Sequence, residues 1–252
     1  MLNAFIFVVL PYVALALFLF VTPYRYFSNR LTWSAYSTQF LEQEKLYWGS
    51  NPWHYGIIPV LLAHLLGVIA PGPMNVLLAN RQTLILLESV GLGLGLFALF
   101  GCLVLMARRA QTPLLKQVTS AADWVLLSLL AVQAATGVYM ALFMRWGSQW
   151  YLHTAVPYIL SLLALNPQTG YMADFPPVFK LHAAGAFLIV ALLPFTKLVH
   201  LLFLPVDFLR DPPILYRWRS PKKGMAEGDI QRTANAGDLK DLKRLQEGVP
   251  LP

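Results

Sequence analysis

The chain has 252 residues, of which 57% are hydrophobic and only 12% charged, against roughly 25% charged in average soluble proteins. A charge deficit spread over the whole length excludes a soluble domain with one anchor and points to a polytopic membrane protein. The net charge of +7 then reports which loops face the cytoplasm and does not call for a nucleic-acid partner. The single cysteine, Cys102, sits in an apolar run and excludes a disulfide framework or a cysteine cluster for zinc or iron–sulfur.

Apolar periodicity predicts an all-α fold of five transmembrane helices, near 4–22, 52–71, 84–107, 122–146 and 176–205. Each can cross roughly 30 Å of hydrocarbon at about 1.5 Å per residue. The first reads as a retained span, since no basic region precedes it and Thr22-Pro23-Tyr24-Arg25 closes it. Loop one carries Arg25, Arg30 and Lys45, the short second connection carries Arg81, and the third carries Arg108, Arg109 and Lys116. The fourth, 146–175, holds no lysine or arginine after Arg145 and contains an apolar stretch, 156–164, too short to span. That stretch reads as an interfacial or re-entrant segment. Basic residues thus alternate by side, placing the N-terminus outside and the C-terminus in the cytoplasm, in a multi-pass cytoplasmic (inner) membrane protein. Trp53, Tyr55, Trp124, Trp146, Trp150 and Tyr151 lie near span ends, as an interfacial aromatic belt would. Glu88 and Asp123 also lie near span ends, and Asp123 reads as a helix-start anion.

After Pro205 the composition changes, and Asp211-Pro-Pro with Arg217, Arg219, Lys222 and Lys223 marks a boundary. The expected organisation is a membrane domain over 1–210 and a cytoplasmic C-terminal tail over 211–252. Leucines 239, 242 and 245 suggest a short amphipathic helix in that tail, either solvated or a docking strap.

Two of the five histidines fall in span two, His54 and His64, and two in span five, His182 and His200. His153 lies in the fourth connection. His182 and His200 are 18 residues apart, about five turns, so one continuous helix would present both on one face. Spans two and five run in opposite directions, so topology pairs His54 with His200 and His64 with His182. Each pair can hold one metal between facing helices. Zinc would want three or four close ligands, whereas two imidazoles suit haem iron in electron transfer. Gly56, Ala63, Gly67, Ala183, Ala184 and Gly185 flank the histidines and leave room for a porphyrin edge or for close helix packing. The spacings correspond to rises of about 15 Å in span two and about 27 Å in span five, so straight helices would not align both pairs. Pro59 and Pro194 lie between the histidines of their spans, where a kink is expected. Polar packing histidines, and a proton relay in a haem-free membrane anchor or transporter, are the other readings.

The run Ser50-Asn51-Pro-Trp-His54-Tyr-Gly56-Ile57, then His64, Phe179-Lys-Leu-His182, Pro194-Phe195, His200 and Pro205-Val206 resembles the gamma subunit of respiratory nitrate reductase. Ala122-Asp123, the leucines from 126 and Gln133 fit the same family, and the similarity covers about residues 5–210. The resemblance implies a five-helix membrane cytochrome b with two haem b groups. His64 and His182 would ligate the distal haem, near the outer face, and His54 and His200 the proximal haem, near the cytoplasm. It implies oxidation of quinol beside His64 and Gly67, with electrons passing to an iron–sulfur beta subunit and then to a molybdenum catalytic alpha subunit that reduces nitrate. Arg81, Lys180 and Lys197 are candidates for propionate or quinol contacts. The family often carries a lysine at the start of span three, where this chain has Leu84 after Arg81-Gln-Thr. A dihaem cytochrome b of a related redox complex with another partner is the alternative within the same architecture.

Overall fold

A computed structural model describes residues 2–28 and 41–202. Residues 1–204 form one compact unit and 205–252 a second, which lies outside the described residues together with Arg30, the end of span five and the tail helix expected over 235–245. Among the described residues all regular structure is helical. Five helical stretches are long and apolar enough to cross a membrane: Leu2–Ser28, Glu44–Ile69, Arg81–Gln111, Ala121–Phe143 and Pro177–Phe195. The chain is a multi-pass membrane protein.

The first stretch, α1 (Leu2–Ser28), contains two wide π-type turns, Phe5–Val9 and Leu17–Val21. The second, α2 (Glu44–Ile69), runs unbroken through Pro52 and Pro59. Short helices fill both connections that the sequence left as loops: α3 (Pro71–Ala79) precedes α4 (Arg81–Gln111), and α5 (Pro113–Val118) precedes α6 (Ala121–Phe143). Proline starts α3 and α5, where its missing N–H costs nothing and its fixed φ suits the first turn. Ser120 and Asp123 form a reciprocal capping box at the start of α6, which satisfies two backbone donors at once.

In the fourth connection, helical segments Gly147–Trp150, Tyr151–Ala155 and Val156–Leu163 follow one another, and we call the run α7 (147–163). It starts at Trp146, whose left-handed backbone (φ 63°) turns the chain out of α6. Its apolar face is packed into the protein. Val156, Tyr158 and Leu162 are buried, and the Tyr158 hydroxyl donates to the carbonyl of Phe7 at 2.8 Å. That buried bond contributes about 1 kcal/mol and ties the connection to α1.

Without a hydrophobic driving force inside lipid, helix pairing rests on close packing of small residues. A Cβ on Gly56 would stand 2.6 Å from the Ala98 nitrogen, and Gly101 meets the backbone of Trp53 and Gly49. These glycines bring α2 and α4 into backbone contact. At Gly56 the sequence left a porphyrin edge and helix packing open, and packing occupies the space.

The fifth span departs from expectation. The helix α8 (Pro177–Leu192) gives way to a 3₁₀ turn at Leu193–Phe195, an extended Thr196 (φ −119°, ψ 173°) and a second 3₁₀ segment, Lys197–Leu202. Pro194 cannot donate the backbone bond that would continue the helix. His182 and His200 therefore do not share one face of one helix, and the five-turn argument fails. The rise of a continuous helix likewise does not apply between His182 and His200.

Candidate functional site

The two ends of the bundle differ in chemistry. Where α2 begins and α4 ends, Arg108 Nε meets Glu42 Oε2 at 2.6 Å and Lys45 Nζ donates to Gln111 at 2.8 Å. At the same end, Asp123 Oδ2 lies 2.9 Å from Lys197 Nζ and 3.8 Å from Arg109. Arg108 is almost fully buried. Burial alone would push the Glu42 carboxyl up, but the Lys45 N–H and the Arg108 guanidinium outweigh it and hold the group below its ordinary range. At the opposite end the connections meet each other. Gln149 donates to the Leu78 carbonyl at 2.7 Å, and the Ser148 N–H donates to Glu88 at 3.1 Å.

His54 and His200 meet at the charged end, with ring centroids 6.3 Å apart and planes inclined by 62°. His54 sits early in α2, and His200 on the 3₁₀ segment beyond the break. His54 Nδ1 lies 2.7 Å from the Ser50 carbonyl, and His200 Nδ1 lies 2.7 Å from the Lys197 carbonyl. A carbonyl only accepts, so both rings carry a proton on Nδ1, and the neutral form of each keeps its lone pair on Nε2.

His64 and His182 belong to the other end. His64 Nδ1 donates to the Val60 carbonyl at 2.7 Å, the same arrangement one helical turn back. The Tyr151 hydroxyl donates to the His64 carbonyl at 2.9 Å, and the two rings lie 5.0 Å apart. His182 faces α6. Its Nδ1 lies 2.9 Å from Thr136 Oγ1, and its Nε2 lies 3.2 Å from the Gln133 side-chain nitrogen. The Thr136 hydroxyl donates to main-chain carbonyls of α6 and so accepts from His182. All four imidazoles thus carry the same tautomer, with Nε2 the acceptor.

The other predicted residues make contacts of their own. The Tyr151 ring fills the space above Gly67, 2.8 Å from where a Cβ would stand, and the Gln133 side chain fills that above Gly185. Lys180 Nζ binds Asn3 and the Ala173 carbonyl, and Lys197 is paired with Asp123. Arg81 lines an open cavity of about 350 Å³ with Glu88, Arg145 and Trp146 between α4 and α6. Cys102 is buried, in the role of a small apolar residue, and His153 is exposed on the turn that carries Tyr151.

The family described as nitrate reductase gamma subunit matches residues 3–219 of the chain. The chain belongs to that family. It is 30% identical to the nitrate reductase gamma chain of Bacillus subtilis (strain 168) over 216 residues, covering 84% of this chain and 96% of the relative. It is 29% identical to the respiratory nitrate reductase 1 gamma chain of Escherichia coli (strain K12) over 215 residues, covering 82% and 94%. A nitrate reductase-like protein NarX of Mycobacterium tuberculosis is 27% identical over 224 residues, covering 87% of this chain but 34% of that protein. Resemblance read from the histidine spacings and the family match agree on this gamma-subunit membership.

Two residues in contact with the histidines escaped the sequence reading. Tyr151 read as an interfacial aromatic and turns inward onto His64. Thr136 gave no signal beyond standing three residues after Gln133, on the same face of α6.

Proposed function

We propose that this chain is the membrane cytochrome b subunit of a nitrate reductase complex, taking electrons from quinol and delivering them to a cytoplasmic iron–sulfur beta subunit and a molybdenum catalytic alpha subunit. The observation that carries the reading is the His54–His200 pair, two imidazoles from different elements with centroids 6.3 Å apart. At about 2 Å per metal–nitrogen bond, a separation of that size would let both imidazoles hold one metal ion. The donor set fits haem iron better than zinc, because no three His, Cys, Asp or Glu side chains converge among the described residues. In this reading His54 and His200 hold the proximal haem and His64 and His182 the distal one. Bound there, two b-type haems would supply one-electron carriers at two depths of the bilayer.

The protein's own part is orientation. Main-chain carbonyls of Ser50, Val60 and Lys197, and the Thr136 hydroxyl, fix each imidazole's tautomer and strengthen it as a ligand. His182 Nε2, which faces the Gln133 side-chain nitrogen at 3.2 Å, is the atom that would hold the metal. Quinol docks at the end where α2 finishes, on the His64 side of the bundle, and releases its protons on that side. The charged end, with its excess of lysine and arginine, faces the cytoplasm of the inner membrane and the beta subunit. Reduced-minus-oxidised spectroscopy of membranes carrying His64→Ala and His200→Ala tests the assignment. Each variant is expected to lose a different b-type haem, and loss of neither would overturn it.

A further inference from the structure

We propose that Asp123 is the positioning residue of the proximal imidazole pair, acting through Lys197 to fix the 3₁₀ segment that presents His200 to His54. The inference rests on the dihaem reading above. Because α8 stops at Leu192 and Thr196 is extended, nothing in the helix itself determines where His200 stands. Contacts from two other helices supply that information. From α1, the Arg25 guanidinium donates to the Pro194 carbonyl, and Phe18 and Tyr26 pack against Leu193 and the buried Val199. From α6, Asp123 Oδ2 holds Lys197 Nζ at 2.9 Å.

The α6 contact acts most directly on the ligand. Lys197 is the residue whose carbonyl accepts from His200 Nδ1, so the ion pair and the imidazole's orientation share one residue. The anchor is itself immobile. The Asp123 side chain is 9% exposed, and the same Oδ2 accepts from the Ser120 N–H at 3.0 Å in the capping box. Arg109 stands 3.8 Å away on the far side. A carboxylate fixed in this way defines a point in space for the lysine, and through it for the segment.

The test uses the intact complex in membranes, with Asp123→Asn, Lys197→Met, Lys197→Arg and the Asp123→Asn/Lys197→Met double variant. The readouts are haem per polypeptide and the low-spin ferric resonance of each haem, with the distal haem as the control in the same molecule. Asp123→Asn and Lys197→Met are expected to shift or abolish the proximal resonance and leave the distal one unchanged. The double variant should be no worse than either single one, as for a coupled pair, and Lys197→Arg should retain the wild-type resonance. Lys197→Met leaves the Ser120–Asp123 cap intact, so positioning is separated from folding of α6. A proximal resonance that stays in place while only its potential moves would show a charge effect and overturn the inference, as would parallel loss of both haems. A wild-type complex without haem overturns the dihaem reading itself, and this inference with it. A two-haem wild type whose proximal resonance ignores every variant overturns this inference alone.

Discussion

Tyr151 donates its hydroxyl to the main-chain carbonyl of His64 while its ring lies 2.8 Å from the position a Cβ on Gly67 would take. One tyrosine from the fourth connection thus braces the histidine and closes the gap beside it. Gly67→Ala must displace that ring, at a cost of about 1–3 kcal/mol for overpacking. Tyr151→Phe removes one hydrogen bond and costs about 1 kcal/mol. Thermal unfolding in detergent is expected to rank them in that order.

The same residue gives a pH dependence. Burial pushes the Tyr151 phenol from 10.0 up to about 12. A raised value in the folded protein means the stabilising contribution is complete below pH 10 and disappears as the pH climbs toward 12. The stability gap between wild type and Tyr151→Phe should stay constant up to pH 10 and shrink above it, measured as the difference in unfolding midpoint.

At the α2–α4 contact the obstacles are main-chain atoms, which cannot swing aside. Gly56→Ala and Gly101→Ala would drive a Cβ into the backbone of the facing helix. Each should cost at least the upper part of the roughly 1–3 kcal/mol range for overpacking and lower the amount of folded protein in membranes. Gly91→Ala and Gly93→Ala, on the same α4 but facing open space, should be neutral or stabilise by up to about 1 kcal/mol through helix propensity. Fluorescence-detected gel filtration would separate the two groups.

The all-α architecture of five spans was legible in the sequence from the length and apolar composition of its runs, and His54 and His200, set on one side by that topology, do approach each other. The path of span five was not. An 18-residue spacing fits five helical turns whether or not the helix persists, and Pro194 announced a kink without saying that Thr196 would be extended. Tyr151 was hidden for a different reason. Its position near a span end satisfies the aromatic-belt pattern, and only the path of α7 turns it toward His64. Gly56 was ambiguous in principle, because a glycine facing a cofactor and one facing a helix leave the same trace.

Arg108 is 2% exposed and leans on Glu42, whose carboxyl is held below the ordinary 4.5. A depressed carboxyl stabilises the fold above its unfolded value and loses that contribution as pH falls through the folded one. Glu42→Gln is therefore expected to lower stability at pH 7 and to flatten the acid limb of the unfolding curve. Arg108→Gln should cost about 2–3 kcal/mol, less than the 3–5 of a fully buried pair because Glu42 keeps part of its surface in water.

Thr136 accepts the His182 Nδ1 proton, which makes the imidazole a stronger donor to a metal. Thr136→Val removes that acceptor at nearly constant volume. Under the dihaem proposal, the midpoint potential of the haem held by His182 should rise by tens of millivolts, read by redox titration, while that of the haem held by His54 and His200 keeps its value.

The interruption at Thr196 has a bearing on how the protein is made. Spans one to four can enter the bilayer and associate through their own glycines and caps as they leave the ribosome. His54 meanwhile waits for a partner encoded near the far end of the membrane domain. Only when the last span has been inserted, and Lys197 has reached the carboxylate on α6, is the proximal pocket complete. Under the dihaem proposal, cofactor loading at that end would be the closing event of biogenesis, and a chain truncated before residue 197 would be released with that pocket open.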